Sequence, residues 1–61
     1  MCELSVYVVS GAKRDKVMES VIRLTSRDGK VQIEGILGDS MEIPGRIKDV
    51  DIIAQEAIIV A

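Results

Sequence analysis

The residue with the clearest capacity for chemistry is Cys2, which neighbours the amine of Met1. Its thiolate is a soft anionic donor, and the nitrogen of the same residue closes a chelate ring with it. The backbone or terminal nitrogen of Met1 lies one chelate ring further on. Nitrogen and thiolate donors in a planar arrangement suit Ni²⁺ or Cu²⁺, whereas a tetrahedral, sulfur-rich set suits zinc. The donor set favours nickel as the cofactor, held by Cys2 and Met1.

The Met1-Cys2 segment of one chain supplies two or three donors, which are too few for a strong closed site. A two-fold dimer presents the same patch on both subunits, so it would bring two Cys2 thiolates and two nitrogens to one ion. Chain length is a second, independent reason to expect a dimer. In a chain of 61 residues the free energy gained by burying apolar surface nearly equals the conformational-entropy cost of ordering the chain, so a partner subunit would add needed stability. We therefore predict a homodimer.

Cys2 also has a purely structural interpretation. It is in phase with Leu4, Val6 and Val8, so it could extend the apolar face of the first strand. Free cysteine is among the most frequently buried residue types. Both interpretations stay open on the residues alone.

Other candidate ligands are weaker. Met18 and Met41 carry thioethers, but methionine in a small core usually fills gaps. Glu3 could offer an oxygen ligand, although a solvated glutamate on the first strand is the simpler interpretation. Asp49 and Asp51 lie one strand period apart and could form an acidic pair, yet an exposed strand face explains them equally well.

Composition excludes several classes of function. The chain has no histidine and one cysteine, which excludes Ser-His-Asp and Cys-His catalysis and single-chain zinc sites of four cysteines or of cysteine and histidine. We expect a protein that is not an enzyme. No apolar run is long enough to cross a membrane, and the N-terminus lacks the basic region and apolar stretch of a signal peptide. We therefore expect a cytoplasmic protein without membrane contact.

Nucleic-acid binding is disfavoured by charge and by aromatic content. The net charge is −2, and Tyr7 is the sole aromatic residue, so bases would have no stacking platform. An RNA-binding barrel would need a cationic face assembled from scattered residues. These residues are Lys13, Arg14, Lys16, Arg23, Lys30 and Arg46.

Alternating apolar residues predict an all-β fold. Strands are expected over residues 3–10, 21–26, 31–37, 40–43, 46–53 and 57–60, with a short additional strand over 16–19 after a polar connection at 11–15. Asp28-Gly29 predicts a type I′ hairpin turn, and Gly38-Asp39 a second turn. A slip in apolar phase predicts a bulge near Lys48-Asp49, and Pro44 is expected at a strand end or sheet edge.

These elements predict one small β-barrel domain spanning residues 1–61. The architecture is a barrel or sandwich of six to seven short antiparallel strands, in a homodimer. The terminal run 57–60 is apolar enough to require pairing, either within the barrel or across a dimer interface. The alternative is a helix within residues 10–24, because Val17, Val21 and Leu24 have helical spacing.

Four segments resemble the CooT family, whose members are small nickel-binding accessory proteins of carbon monoxide dehydrogenase. The segments are Met1-Cys2-Glu3, Val6-Tyr7-Val8, residues 17–21 and residues 45–51. The resemblance implies a homodimer of small β-barrels that binds nickel through two Cys2 residues. It also implies that the partner is a nickel enzyme such as carbon monoxide dehydrogenase, or its other maturation factors.

The sequence thus predicts a nickel-binding accessory protein, a metallochaperone that assists nickel delivery. Two alternatives remain. One is a metal-free β-barrel interaction module, for which nickel and Cys2 would be irrelevant. The other is the RNA-binding barrel, which the acidic balance disfavours.

Overall fold

The computed structural model describes residues 3–61, which form a single curled six-stranded sheet. The strands are β1 (Leu4–Ser10), β2 (Lys13–Arg27), β3 (Lys30–Gly35), β4 (Ser40–Pro44), β5 (Arg46–Asp51) and β6 (Glu56–Val60). Their order across the sheet is β4-β3-β2-β1-β6-β5. The all-β prediction is confirmed. No helix that could span a membrane is present in this range.

The prediction of a wholly antiparallel arrangement is wrong at one place. Strand β6 pairs with β1 in parallel, with Val6 beside Ala57 and Val8 beside Ile59. A parallel pair requires a crossover connection, and here the connection is the whole run from β2 to β5. Long-range pairing of this kind leaves no local pattern in the chain.

Strand β2 replaces two strands that the sequence predicts separately. It runs without interruption for 15 residues, and Ser20 within it has a φ of 54°. The ladder with β3 shifts register between Val21 and Arg23, which is the mark of a bulge that bends a strand without ending it. The first part of β2 pairs with β1 and the second part with β3. The helical alternative for this region is wrong.

Two tight turns join β2 to its neighbouring strands β1 and β3. Asp28 and Gly29 have φ values of 50° and 74°, which confirms the predicted type I′ turn, since that turn needs positive φ at both central residues. Gly11 and Ala12 form the other hairpin loop. The predicted polar connection at 11–15 is therefore too long, because Lys13 already pairs with Ser10.

Strand β3 ends at Gly35, two residues before the predicted end. A Cβ at Gly35 would collide with the Asp39 carboxylate, and the Gly35 N–H donates to the Asp39 carbonyl at 2.8 Å. The chain therefore turns at residues 36–38. Leu37, predicted to lie inside the strand, is 92% exposed at this turn.

The two edge strands of the sheet, β4 and β5, are joined by Gly45 alone. Pro44 ends β4 as predicted, and the register shift between Ile47 and Asp49 confirms the bulge at Lys48. The sheet curls towards the predicted barrel. The barrel is not closed, because the edge strands β4 and β5 are not hydrogen-bonded to each other along their length.

The core lies inside the curl and consists of aliphatic side chains from five strands. Ala57 and Ile59 of β6 are fully buried between β1 and β5, so the terminal apolar run is paired within the sheet. The other buried residues are Val6, Val21, Val31, Ile33 and Ile43.

Candidate metal site

The predicted ligands Cys2 and Met1 lie outside the described residues, and the described chain begins beside them at Glu3. Two contacts anchor the start of β1. Leu4 pairs with Val21 of β2, and the Ser5 N–H donates to the Gln55 carbonyl at 2.9 Å. The start of β1 is therefore held between the bend of β2 and the turn that joins β5 to β6. Cys2 is covalently attached at this end of the sheet.

The weaker sequence candidates do not converge on one point. Glu3 is half-buried, Met18 packs against the core, and Met41 is 38% exposed on the edge strand β4. Asp49 and Asp51 are exposed on β5, where one Asp51 oxygen accepts the Ala54 N–H at 3.0 Å. That bond is typical of an aspartate that stabilises a turn.

A metal site built from three or more carboxylate, thiol or imidazole groups does not occur within residues 3–61. A cluster of such groups is the minimum for a tight site within one chain.

The sole aromatic residue has a structural role on the outer surface of the sheet. The guanidinium of Arg14 lies 4.3 Å from the centroid of the Tyr7 ring and is 3.2 Å from a Glu56 oxygen. The ammonium of Lys16 is 5.9 Å from the same centroid. These contacts join β1, β2 and β6 on one face.

Lys16 also bonds to Glu19 at 3.2 Å. The hydrogen bond to Glu19 and the nearby negative charge raise the pKa of the Lys16 ammonium above its usual value. The group is exposed, so the shift reflects local pairing and gives no sign of a catalytic base.

Four of the six cations that an RNA-binding face would need are matched with carboxylates. The pairs are Arg14–Glu56, Lys16–Glu19, Arg23–Glu34 and Lys30–Glu42, each at 4.0 Å or less. Exposed ion pairs contribute little stability, but they cancel the positive potential that a phosphate backbone requires. The geometry weakens the RNA-binding alternative.

A feature that the sequence reasoning missed is a group of exposed aliphatic side chains at the end where β1 begins. We call it the aliphatic collar. Its first part, the Leu37 patch, comprises Ile22, Ile36, Leu37 and Met41. Its second part, the Ile53 patch, comprises Val50, Ile52 and Ile53.

Pairing places both patches at the same end of the sheet. The Ile36 N–H donates to the Ser20 carbonyl at 2.9 Å, next to Val21, which pairs with Leu4. On the other side, the turn that carries Ile53 is bonded to Ser5. The signal in the sequence was available, because pairs of aliphatic residues stand beside Gly38 and Ala54 at positions where turns usually carry polar residues.

Comparison with known proteins agrees with the fold and with the resemblance noted in the sequence. The family model described as CO dehydrogenase accessory protein CooT matches residues 1–60. Comparison with curated proteins gives no significant match. A crystal structure assigned as CooT from Carboxydothermus hydrogenoformans superposes with a TM-score of 0.87 at 25% identity, covering 97% of this chain and 95% of that chain.

The family match extends over nearly the whole chain and includes the opening Met-Cys. The described fold and the matched crystal structure have the same architecture. This chain therefore belongs to the CooT family and is a CO dehydrogenase accessory protein, not itself a catalyst.

Proposed function

We propose that this accessory protein binds nickel and assists its delivery to carbon monoxide dehydrogenase, directly or through another maturation factor. The metal is held by Cys2 of two subunits in a homodimer, with Met1 supplying nitrogen. The observation that carries the proposal is family membership over a range that includes Cys2, the only thiol of the chain.

The structure supports a shared site by elimination. Residues 3–61 contain no cluster of three strong donors, and the thioethers of Met18 and Met41 lie on separate strands. The Met1-Cys2 segment of one chain offers too few donors for a closed site. Two such segments related by a two-fold axis offer two thiolates and two nitrogens, a set that suits Ni²⁺.

A carrier must release its metal as well as hold it. A site with few donors, located at one end of the sheet, allows a recipient to replace the ligands one at a time. Since thiolate ligands compete with protons, affinity should fall as pH falls. We place the protein in the cytoplasm, where a lone thiol stays reduced.

The test is a nickel titration of tag-free protein with its native N-terminus, beside Cys2→Ser. Thiolate-to-nickel absorption and mass in solution are followed together. We expect saturation at one nickel per dimer, lost in Cys2→Ser while the dimer persists. Met41→Leu is the matched control, because it removes the exposed thioether and should bind nickel as the wild type does.

A metal-free interaction module is the second candidate, and the aliphatic collar favours it because exposed aliphatic surface marks protein contacts. The same titration separates the two functions. If neither the wild type nor Cys2→Ser binds nickel, the metal-free interaction module replaces the nickel carrier as the proposed function.

A further inference from the structure

The outer face of β1 and β6 carries apolar side chains where a solvated strand usually carries polar ones. Alternation along β6 buries Ala57 and Ile59 in the core. The other apolar residues of β6, and the residues that pair with them on β1, therefore point outwards. We call these four half-buried side chains the outer strip: Tyr7, Val9, Ile58 and Val60.

The outer strip is open in the single chain. The six strands form one sheet with the core on its inner side, and no strand within residues 3–61 packs on the outer side. Parallel-paired strands that are apolar on both faces are usually covered on both faces. The outer strip therefore has the composition of a covered surface.

Register places an arginine on each side of the outer strip. Arg14 of β2 pairs with Val9, Val9 pairs with Val60, and Val60 pairs with Arg46 of β5. Residues directly opposite each other on neighbouring strands share a face. The guanidinium of Arg14 lies 4.3 Å from the centroid of the Tyr7 ring, on that same face. The row across four strands thus has two aliphatic side chains at its centre and a cation at each end.

The charge changes sign along the outer strip. Asp51 pairs with Glu56 at the end nearer the start of β1, so carboxylates flank the strip there. At the other end, Arg46 has no ion pair with a residue in the range 3–61. The cations that do form such pairs are Arg14, Lys16, Arg23 and Lys30.

An open cavity extends the outer strip at its cationic end. It has a volume of about 380 Å³ and is lined by Val60, Arg46, Gly45, Gly29 and Ala61. A Cβ at Gly45 would meet the carbonyl oxygen of Val60, so the chain passes this point only as bare backbone. The cavity can receive an apolar side chain from another molecule.

We propose that the outer strip, with Arg14 and Arg46, docks an acidic amphipathic segment of a partner protein. Apolar side chains of the segment lie on the strip and in the cavity, and its carboxylates meet the two guanidinium groups. Arginine suits this role because its planar fork matches a carboxylate. Asp51 and Glu56 repel carboxylates at the other end of the strip, so the segment binds in one direction.

The size of the outer strip fits a reversible contact with one segment. The strip is two strands wide, which is about 10 Å, and a contact of this size belongs to the small, transient class of interfaces. Val9 is six residues from Glu3 along the chain, which is about 20 Å in a strand. Docking at Val9 therefore leaves the end that carries Cys2 accessible, a consequence that rests on the proposed function.

The first experiment selects ligands for metal-free wild type from a library of random short peptides displayed on phage. We expect the selected peptides to combine large apolar residues with Asp or Glu. In isotope-labelled protein they should shift the amide resonances of Val9, Ile58 and Val60. Selection of Lys-rich or Arg-rich peptides, shifts confined to the aliphatic collar, or failure to select any peptide would overturn the proposal.

Variants test the apolar and the cationic parts separately. Ile58→Thr keeps a β-branched side chain in β6, and Arg46→Gln changes an exposed position, so circular dichroism should show both folded. Each should raise the peptide dissociation constant by about fivefold or more. The matched controls Ile22→Thr and Arg23→Gln make the same changes at exposed positions of β2 outside the strip and should leave it unchanged. An affinity that neither Ile58→Thr nor Arg46→Gln alters would overturn the proposal.

Salt and two further measurements separate this partner from others. Peptide binding should weaken as salt rises, because salt screens the arginine–carboxylate pairs. Shifts of the Val9 and Val60 resonances with protein concentration alone would assign the strip to a second copy and overturn the proposal. Equally tight binding of an oligonucleotide of uridines at Tyr7 would overturn it in favour of RNA.

The outcomes also separate docking from nickel transport. The peptide measurements use metal-free protein, so they do not depend on the metal site. Wild type that binds the peptides but no nickel would retain the docking surface and lose the nickel carrier. Wild type that binds nickel but no peptide would overturn the docking surface alone.

Discussion

The backbone N–H of Gly45 donates a hydrogen bond of 2.8 Å to the carbonyl of Gly29. Gly45 is the corner between the two edge strands β4 and β5, and Gly29 is at the tip of the β2–β3 hairpin. This contact folds the hairpin back onto the far side of the sheet. It joins the tip of that hairpin to the corner between the two edge strands.

Replacement of Gly45 by alanine should destabilise the fold severely. Its φ is 140°, and a Cβ would meet the carbonyl oxygen of Val60. We expect a loss of about 3 kcal/mol or more in the free energy of unfolding, measured by urea denaturation. Gly11→Ala is the control, because Gly11 has a φ of 60° with open space around it and should cost only about 1–2 kcal/mol. Equal losses in the free energy of unfolding for Gly45→Ala and Gly11→Ala would contradict the close packing of Gly45 against Val60.

Alternation along β6 predicts a sharp contrast between neighbouring isoleucines. Ile59 is fully buried in the core, whereas Ile58 is half-buried on the outer face. Ile59→Ala should cost about 2–5 kcal/mol, which is enough to unfold a domain of this size in part. Ile58→Ala should cost clearly less. Thermal denaturation of the two variants checks this, and a larger loss at Ile58 would reverse the assigned faces.

The Arg14 contacts should contribute modestly to stability. Arg14 lies over the Tyr7 ring and bonds to Glu56, but half of its side chain is exposed. Arg14→Ala should cost about 0.5–1 kcal/mol in urea denaturation. In a Tyr7→Leu background the same change should cost less, because only the ion pair is then lost. A loss that is unchanged in that background would exclude the ring contact.

Alkaline pH should weaken the contribution of Lys16. Its pKa is raised above 10.5, chiefly by the hydrogen bond to Glu19, so its pairing stabilises the fold below about pH 10.5 and is lost as pH rises through the higher folded-state value. The difference in stability between wild type and Lys16→Met should therefore shrink above that pH. Glu19→Gln removes the largest cause of the raised pKa and should therefore reduce the pH dependence of that difference. A difference that grows with pH would contradict the prediction.

Nickel affinity should fall steeply with acidification. In the proposed site two Cys2 thiols must each lose a proton to bind the ion, so below the thiol pKa these two groups alone should lower the nickel affinity by about 100-fold per pH unit. Isothermal titration in buffers of different ionisation enthalpy counts the protons released. Release of one proton per nickel, or none, would contradict a site made from two thiolates.

Much of the local structure was predictable because it depends on neighbours in the chain. Period-two alternation identified β1 and β3, and a continuous apolar run identified β6. Asp28-Gly29 specified its turn, since only certain residues tolerate positive φ. The slip in apolar phase located the bulge at Lys48. The composition excluded histidine-dependent catalysis and singled out Cys2 as the sole thiol.

The tertiary structure decided the features that depend on distant residues. The bend at Ser20 lets β2 serve two partners, and the parallel pairing of β6 with β1 appears only when the whole chain is folded. Leu37 and Ile53 read as ordinary apolar residues in the sequence, because exposure depends on which strands end beside them. Residue type and spacing determined the strands, the turn and the candidate ligand, whereas long-range pairing determined which aliphatic side chains remain exposed around the start of β1.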